Sequence, residues 1–247
     1  MTLQHHAIPE SDAPETKVIR NLSVKFALPL HYRFISSWRG AVAQSAGHEN
    51  NFFHNHTTRD TPDRYERRYP LIQYRVADGK AAIWALQEGV EAIQDWLAGD
   101  LRNFRMGKRN LPLRTTDFAI RRTRLQITPS SDTSSPRTYR LLDYLPFHAE
   151  NYRRWLALDC FTDRVTLLEE IITGHLLGFC TAVGYRLPTR LEVRILLIKN
   201  IRTERVHGGE RMAFNLLFRC NLQLPPGMAL GRSVAFGFGV LHGVRKR

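Results

Sequence analysis

Cysteine is scarce in this chain of 247 residues: there are three, at positions 160, 180 and 220. The odd count and the lack of any CxxC spacing exclude a disulfide framework and offer no thiolate pair for zinc. Cys160, Cys180 and Cys220 are each expected to serve as small buried apolar residues. Long apolar runs are also missing. The longest, such as residues 176–183, are interrupted and fall well short of the roughly 20 residues a bilayer span requires. The first 16 residues are polar and carry acids, so we expect no secretory signal and a reducing, cytoplasmic setting. Acids are few beside bases: 23 Asp and Glu against 36 Lys and Arg, for a net charge of +13 and a pI near 10.2. A neutral metabolite does not call for that excess. It suits a polyanion, nucleic acid first and an anionic membrane second. No amphipathic basic helix supports the second, so no membrane partner is expected. Hydrophobic residues make up 43%, enough for a sizeable core and too many for a disordered chain.

Residues 1–16 read as a flexible arm. Residues 18–28 alternate, with Leu22, Val24, Phe26 and Leu28 on one face of a half-buried strand. Residues 38–46 are compact and suit a helix, and 47–68 read as a polar loop. A hairpin follows: 71–76 and 80–86 flank Asp78-Gly79, a dipeptide that favours tight turns matched to strand twist. Val90, Ile93 and Leu97 recur at helical spacing, with Glu88 and Glu91 in the first turn where the helix dipole favours acids. Phe118, Ile120, Leu125 and Ile127 suggest a further strand. The order β-α-β-β-α-β is ferredoxin-like, the order of RNA-recognition modules. Residues 128–137 form a Ser/Thr/Pro-rich linker. Beyond it, 138–145 reads as a strand and 161–183 as a long amphipathic helix capped by Asp159 or Thr162, its stripe Val165, Leu168, Ile172, Leu176 and Phe179. Strands at 191–198 and 212–224 lie around a turn at Gly208-Gly209, and a final strand covers 234–241. The expected fold is therefore α+β, two ferredoxin-like (RNA-recognition-module-like) domains in tandem, over 17–128 and 138–247. A Gly-rich loop takes the place of the second domain's second helix.

That loop is distinctive. Five of the 16 glycines follow Pro226 (Gly227, Gly231, Gly237, Gly239 and Gly243), and no acid does. Glycine lets backbone approach a ligand closely, and bare N–H groups beside cations can cradle a phosphate. Ala229-Leu-Gly-Arg-Ser-Val-Ala-Phe-Gly-Phe-Gly239 resembles the C-terminal Gly-rich motif of the RAMP superfamily. Within it, the chain is similar to the CRISPR-associated endoribonucleases that process precursor CRISPR RNA within the repeats. The likeness also covers Arg39-Gly40-Ala41, Phe53-His54-Asn55-His56, Tyr69-Pro-Leu-Ile-Gln-Tyr74, Asp78-Gly79-Lys80-Ala81-Ala82, Glu88-Gly89 and 146–152. The resemblance implies two ferredoxin-like domains and metal-independent RNA cleavage, often with a histidine in the first domain. CRISPR repeat RNA is the implied partner, with other effector subunits and a homodimer as further ones, and no cofactor or metal.

Metal-free cleavage needs a base to take the ribose 2′-OH proton, an acid for the leaving 5′-oxygen and a cation for the phosphoryl oxygens. The products are a 2′,3′-cyclic phosphate and a 5′-OH. Histidine suits either proton role, with an ordinary pKa near 6.5. His54 and His56 are the best candidates, because alternate residues of an extended piece point the same way. Their order as base and acid stays open. The letters His-Asn-His do not make a metal nuclease, since no supporting ligands lie nearby. Lys80 and Tyr74, on the matched hairpin, complete the candidate catalytic set. His175 reads as a satisfied core or interface histidine, and His148 and His242 as surface residues. Nine Arg and Lys fall between 101 and 137 against Asp117 and Asp132. The expected RNA contacts are Gly227, Gly231, Arg232, Ser233, Gly237 and Gly239 of the tail, Arg39 of the matched block, and Arg121, Arg122 and Arg124 of the basic stretch. A non-catalytic guide-RNA-binding subunit of the same superfamily is the alternative; it shares the fold and charge and needs neither His54 nor His56.

Overall fold

A computed structural model of the protein describes residues 16–47, 51–54, 69–128, 137–206 and 208–244. The first domain runs β1 (Lys17–Pro29), a 3-10 turn (Tyr32–Phe34), α1 (Ile35–Ala46), the single turn α2 (Asn51–His54), β2 (Ile72–Ala77), β3 (Lys80–Leu86), α3 (Glu88–Ala98), a small hairpin of β4 (Phe104–Met106) and β5 (Arg109–Leu111), and β6 (Thr115–Leu125). The second has β7 (Arg137–Tyr144), α4 (Ala149–Ala157), α5 (Phe161–Ala182), β8 (Val193–Val206), β9 (Gly209–Cys220), a 3-10 turn (Val234–Phe236) and β10 (Val240–Gly243). The sheets are ordered β2-β3-β1-β6 and β10-β7-β9-β8. Both place the four strands of a domain in the order second, third, first, fourth, and every pairing is antiparallel. This is the ferredoxin-like plan twice over.

Period-2 alternation sets which side of each sheet is covered. In the first domain Leu22, Val24 and Phe26 of β1, Tyr74 of β2 and Ile83 of β3 pack under α1 and α3 with Trp38, Ile93 and Trp96. Trp38 donates its indole N–H to the Ala82 carbonyl at 3.2 Å, so the buried ring leaves no polar atom unsatisfied. The second core joins β7 and β9 (Leu141, Phe214, Leu216, Phe218) to one face of α5 (Leu168, Ile172, Leu176, Phe179). α5 is long and apolar enough to cross a bilayer, yet these four side chains lie fully inside the protein. The second core also takes in Ile19, Trp84, Leu86 and Leu125 from the other side of the first sheet. The two domains thus share apolar packing across their boundary.

Several local expectations change. Residues 234–241 are not one strand, because positive φ at Gly237 and Gly239 interrupts the extended backbone; a 3-10 turn precedes the short β10. α4 was not anticipated: of its nine residues only Trp155 is buried, so no apolar period marks it. β6 is an edge strand, which leaves Phe118 and Ile120 exposed. Cys180 and Cys220 are buried as expected, but Cys160 is exposed and occupies the N-cap of α5 in place of Asp159 or Thr162.

Candidate functional site

The Gly-rich segment is a wedge between the two domains. Its amides face inward. Gly227 N–H donates to the Leu241 carbonyl, Leu230 to Gly239, Arg232 to Leu145, Gly237 to Val234 and Gly239 to Asp143, at 2.8–3.2 Å. A cradle of free amides at Gly227, Gly237 and Gly239 is therefore not what these glycines provide, and the expectation is corrected: buried amides need partners, and the fold supplies them. The glycines allow close approach instead. At Gly231 (φ +94°) a Cβ would sit 2.7 Å from both the Leu145 carbonyl oxygen and the Tyr144 ring. At Gly239 (φ +67°) it would collide with the Leu230 carbonyl oxygen. Gly227 lies against Trp84 and Arg75, and Gly237 against the backbone of Tyr74 and Arg75 along the edge of β2. Arg232 is exposed and Ser233 half-buried, so the segment offers side chains to solvent rather than amides.

A second finding comes from strand register. Arg75, Ala82, Lys25 and Asp117 are cross-strand neighbours on the side of the first sheet away from its helices. Lys80 shares that side, and Arg121 joins it four residues along β6 from Asp117, opposite Asn21. Small residues (Ser23, Ala82, Ala119) form its floor. On the corresponding side of the second sheet His242 of β10 pairs with Arg140 of β7. Gly227 packs against the Arg75 guanidinium and donates its N–H to the carbonyl of Leu241, the chain neighbour of His242, so Arg75, Arg140 and His242 gather where the two faces meet. Burial, then Arg75 and Arg140, hold the His242 imidazole below its ordinary pKa of 6.5. Lys25 is neutralised by Asp78. Among the described residues no carboxylate pairs with Arg75 or Arg140.

Arg75 is held firmly. Its guanidinium stacks over Trp84 at 5.2 Å, and Nη2 donates to Gln73 Oε1 at 2.6 Å. Gln73, fully buried, donates in turn to the Tyr69 hydroxyl at 2.9 Å, and that hydroxyl donates to the Ala229 carbonyl at 2.8 Å. The Gly-rich segment thereby fixes a cation on the first sheet. Arg75 Nε is buried without a partner among the described residues, and burial lowers the pKa of the group to about 10. A desolvated guanidinium with an unanswered N–H suits an anion.

The other candidates divide. Tyr74 is 1% exposed, with its hydroxyl buried inside the first core, so it cannot reach a substrate and leaves the catalytic set. Lys80 is exposed at the hairpin end. Arg39 is half-buried and stacks over Phe236 at 5.0 Å, tying α1 to the Gly-rich segment. Arg122 and Arg124 are exposed on the helix side of β6, opposite in sense to Arg121. His54 ends the helical turn α2, so the extended geometry expected there does not begin before it; His56 lies outside the described residues. Arg75, Arg140 and His242 had no sequence signal. Each alternates within an ordinary strand, and only knowledge of which sheet face the other domain leaves open singles them out. His175 is half-buried and bonded to the Tyr144 hydroxyl at 2.7 Å.

Comparison with known proteins agrees with this architecture. The family model of the Cas6b N-terminal domain matches residues 17–124, and that of the Cas6b C-terminal domain matches 132–244. A solved Cas6b structure superposes with a TM-score of 0.75 at 19% identity, covering 92% of this chain and 100% of that one. A CRISPR RNA processing endoribonuclease Cas6b gives 0.65 at 19% identity with the same coverage. Csf5, a CRISPR-Cas type IV Cas6 crRNA endonuclease, gives 0.52 at 14%, again over 92% and 100%. No curated protein matches the chain significantly. At such identities these structures speak to the fold.

Proposed function

The chain belongs to the Cas6b family, and on that premise we propose that it cuts the repeat RNA of CRISPR arrays by attack of a ribose 2′-hydroxyl on the adjacent phosphorus. The observation that carries the reading is the convergence of Arg75, Arg140 and His242 between two open sheet faces in a chain of net charge +13. An RNA strand lying there would meet Arg121 and Lys80 further along the first sheet. Arginine offers bidentate contacts to phosphate oxygens, and each contact releases counterions.

The chemistry needs no outside nucleophile. A bond forms from O2′ to phosphorus while the bond from phosphorus to O5′ breaks. One histidine of the pair His54 and His56 takes the 2′ proton, and the other donates a proton to O5′. Lys80 offsets charge on the non-bridging oxygens. The upstream piece ends in a 2′,3′-cyclic phosphate and the downstream piece in a 5′-OH. No step calls for a metal ion, because the nucleophile is already next to the phosphorus. The test is labelled repeat RNA incubated with purified protein in EDTA. A single cut within the repeat, abolished by 2′-deoxy substitution at the cut site, is expected. Tight binding with the RNA left intact would instead place the chain among guide-RNA-binding subunits that do not cut.

A further inference from the structure

We propose that a pocket in the second domain, separate from the cleft between the sheets, holds one unpaired nucleotide of the bound RNA. This rests on the RNA-binding reading above. The pocket lies between the exposed part of the Gly-rich segment, the start of α4 and the distal part of the β8–β9 hairpin. Its volume is about 680 Å³, within the roughly 300–1,000 Å³ of small-ligand sites.

The lining suits a nucleotide. Three guanidinium groups, from Arg153, Arg211 and Arg232, stand against one carboxylate, Glu210. Tyr152 is 41% exposed and its ring lies 5.9 Å from that of Phe147, so the two form an aromatic wall with one accessible face. Stacked bases use such a face regardless of identity, while guanidinium groups take the phosphate. His148 accepts the Asn151 N–H on Nδ1 at 3.3 Å, which leaves Nε2 as a donor at the mouth of α4. Glu210 can accept from an exocyclic amine.

The Gly-rich segment builds one side. The Arg232 amide is fixed to the Leu145 carbonyl at 2.9 Å. Ser233 follows in a left-handed conformation (φ 56°) that is costly for a non-glycine residue. That turn sets both residues on the pocket wall. A base inside a duplex is stacked and paired, so only an unpaired or extruded nucleotide could enter. The inference therefore gives the segment a role its engaged amides cannot fill.

The experiment uses the full chain and a repeat RNA made uncleavable by 2′-deoxy substitution, with 2-aminopurine walked along it. One position is expected to change emission on binding, Tyr152→Ala to abolish that change and Tyr152→Phe to keep it. Tyr152→Ala and Arg232→Ala should each weaken repeat binding about tenfold. Both residues are exposed at the pocket, so the variants should fold, which thermal unfolding will verify. If the wild type binds repeat RNA but no position depends on Tyr152, the pocket assignment is overturned while the cleavage proposal stands. If the wild type binds no repeat RNA, both fall.

Discussion

Tyr74 and Arg75 are chain neighbours with opposite fates, because a strand turns them to opposite faces. The Tyr74 hydroxyl is enclosed in the first core with no hydrogen-bond partner among the described residues. Leaving such a group unsatisfied costs about 1–3 kcal/mol. Tyr74→Phe should therefore raise the unfolding midpoint, stabilising by about 1 kcal/mol, and leave cleavage unchanged; a variant that folds but no longer cuts would return the hydroxyl to the chemistry. His175 makes a different prediction. Burial first, then Arg232 and His148, lower its pKa from 6.5 to about 4. The unfolded chain then binds the proton more readily, so stability is full above pH 6.5 and falls as pH drops towards 4. The loss from this group is about 2–3 kcal/mol. In urea titrations across that range, His175→Gln should lose less stability than the wild type. Identical pH profiles would show that the imidazole titrates as it would in water.

Among the elements, the Gly-rich segment is where physical cause and sequence signal part company. Gly239→Ala should destabilise by about 3 kcal/mol, since it adds strain at positive φ and forces the Leu230 carbonyl away. Gly243 has open space around it and should accept alanine within about 0.5 kcal/mol. Comparable melting temperatures for the two variants would refute the wedge. The sequence made the hairpin β2–β3 legible because Asp78 and Gly79 both take positive φ there. α5 was legible through its apolar stripe, and β1 through alternation. α4 escaped notice because it buries a single tryptophan. The glycines were visible, but composition cannot tell an amide offered to a phosphate from one bonded to Asp143. Arg121, Arg122 and Arg124 looked like one patch, whereas the β1–β6 register divides them between two faces. The arginines of β2 and β7 were illegible for a related reason: which face of a sheet stays open depends on the other domain.

At the scale of the whole molecule, two sheets share a core along part of their boundary and leave a cationic cleft beside it. Four side chains, Arg75, Lys80, Arg121 and Arg140, are assigned to the strand's phosphates. Contacts of that number with single-stranded RNA contribute about −3 to the slope of log affinity against log salt, to which the guanidinium groups of the second-domain pocket add, and Arg140→Ala should reduce its magnitude by about 0.7. Affinity that barely changes between low and moderate salt would mean that the cleft does not hold the strand. The most direct measurement is of product ends. Repeat RNA cut briefly in water enriched in oxygen-18, with EDTA present, is resolved by mass spectrometry. Attack by the 2′-hydroxyl predicts an upstream fragment whose cyclic phosphate carries no label and a downstream fragment ending in a 5′-hydroxyl. A 5′-phosphate on the downstream fragment, or label incorporated at the moment of cutting, would contradict it.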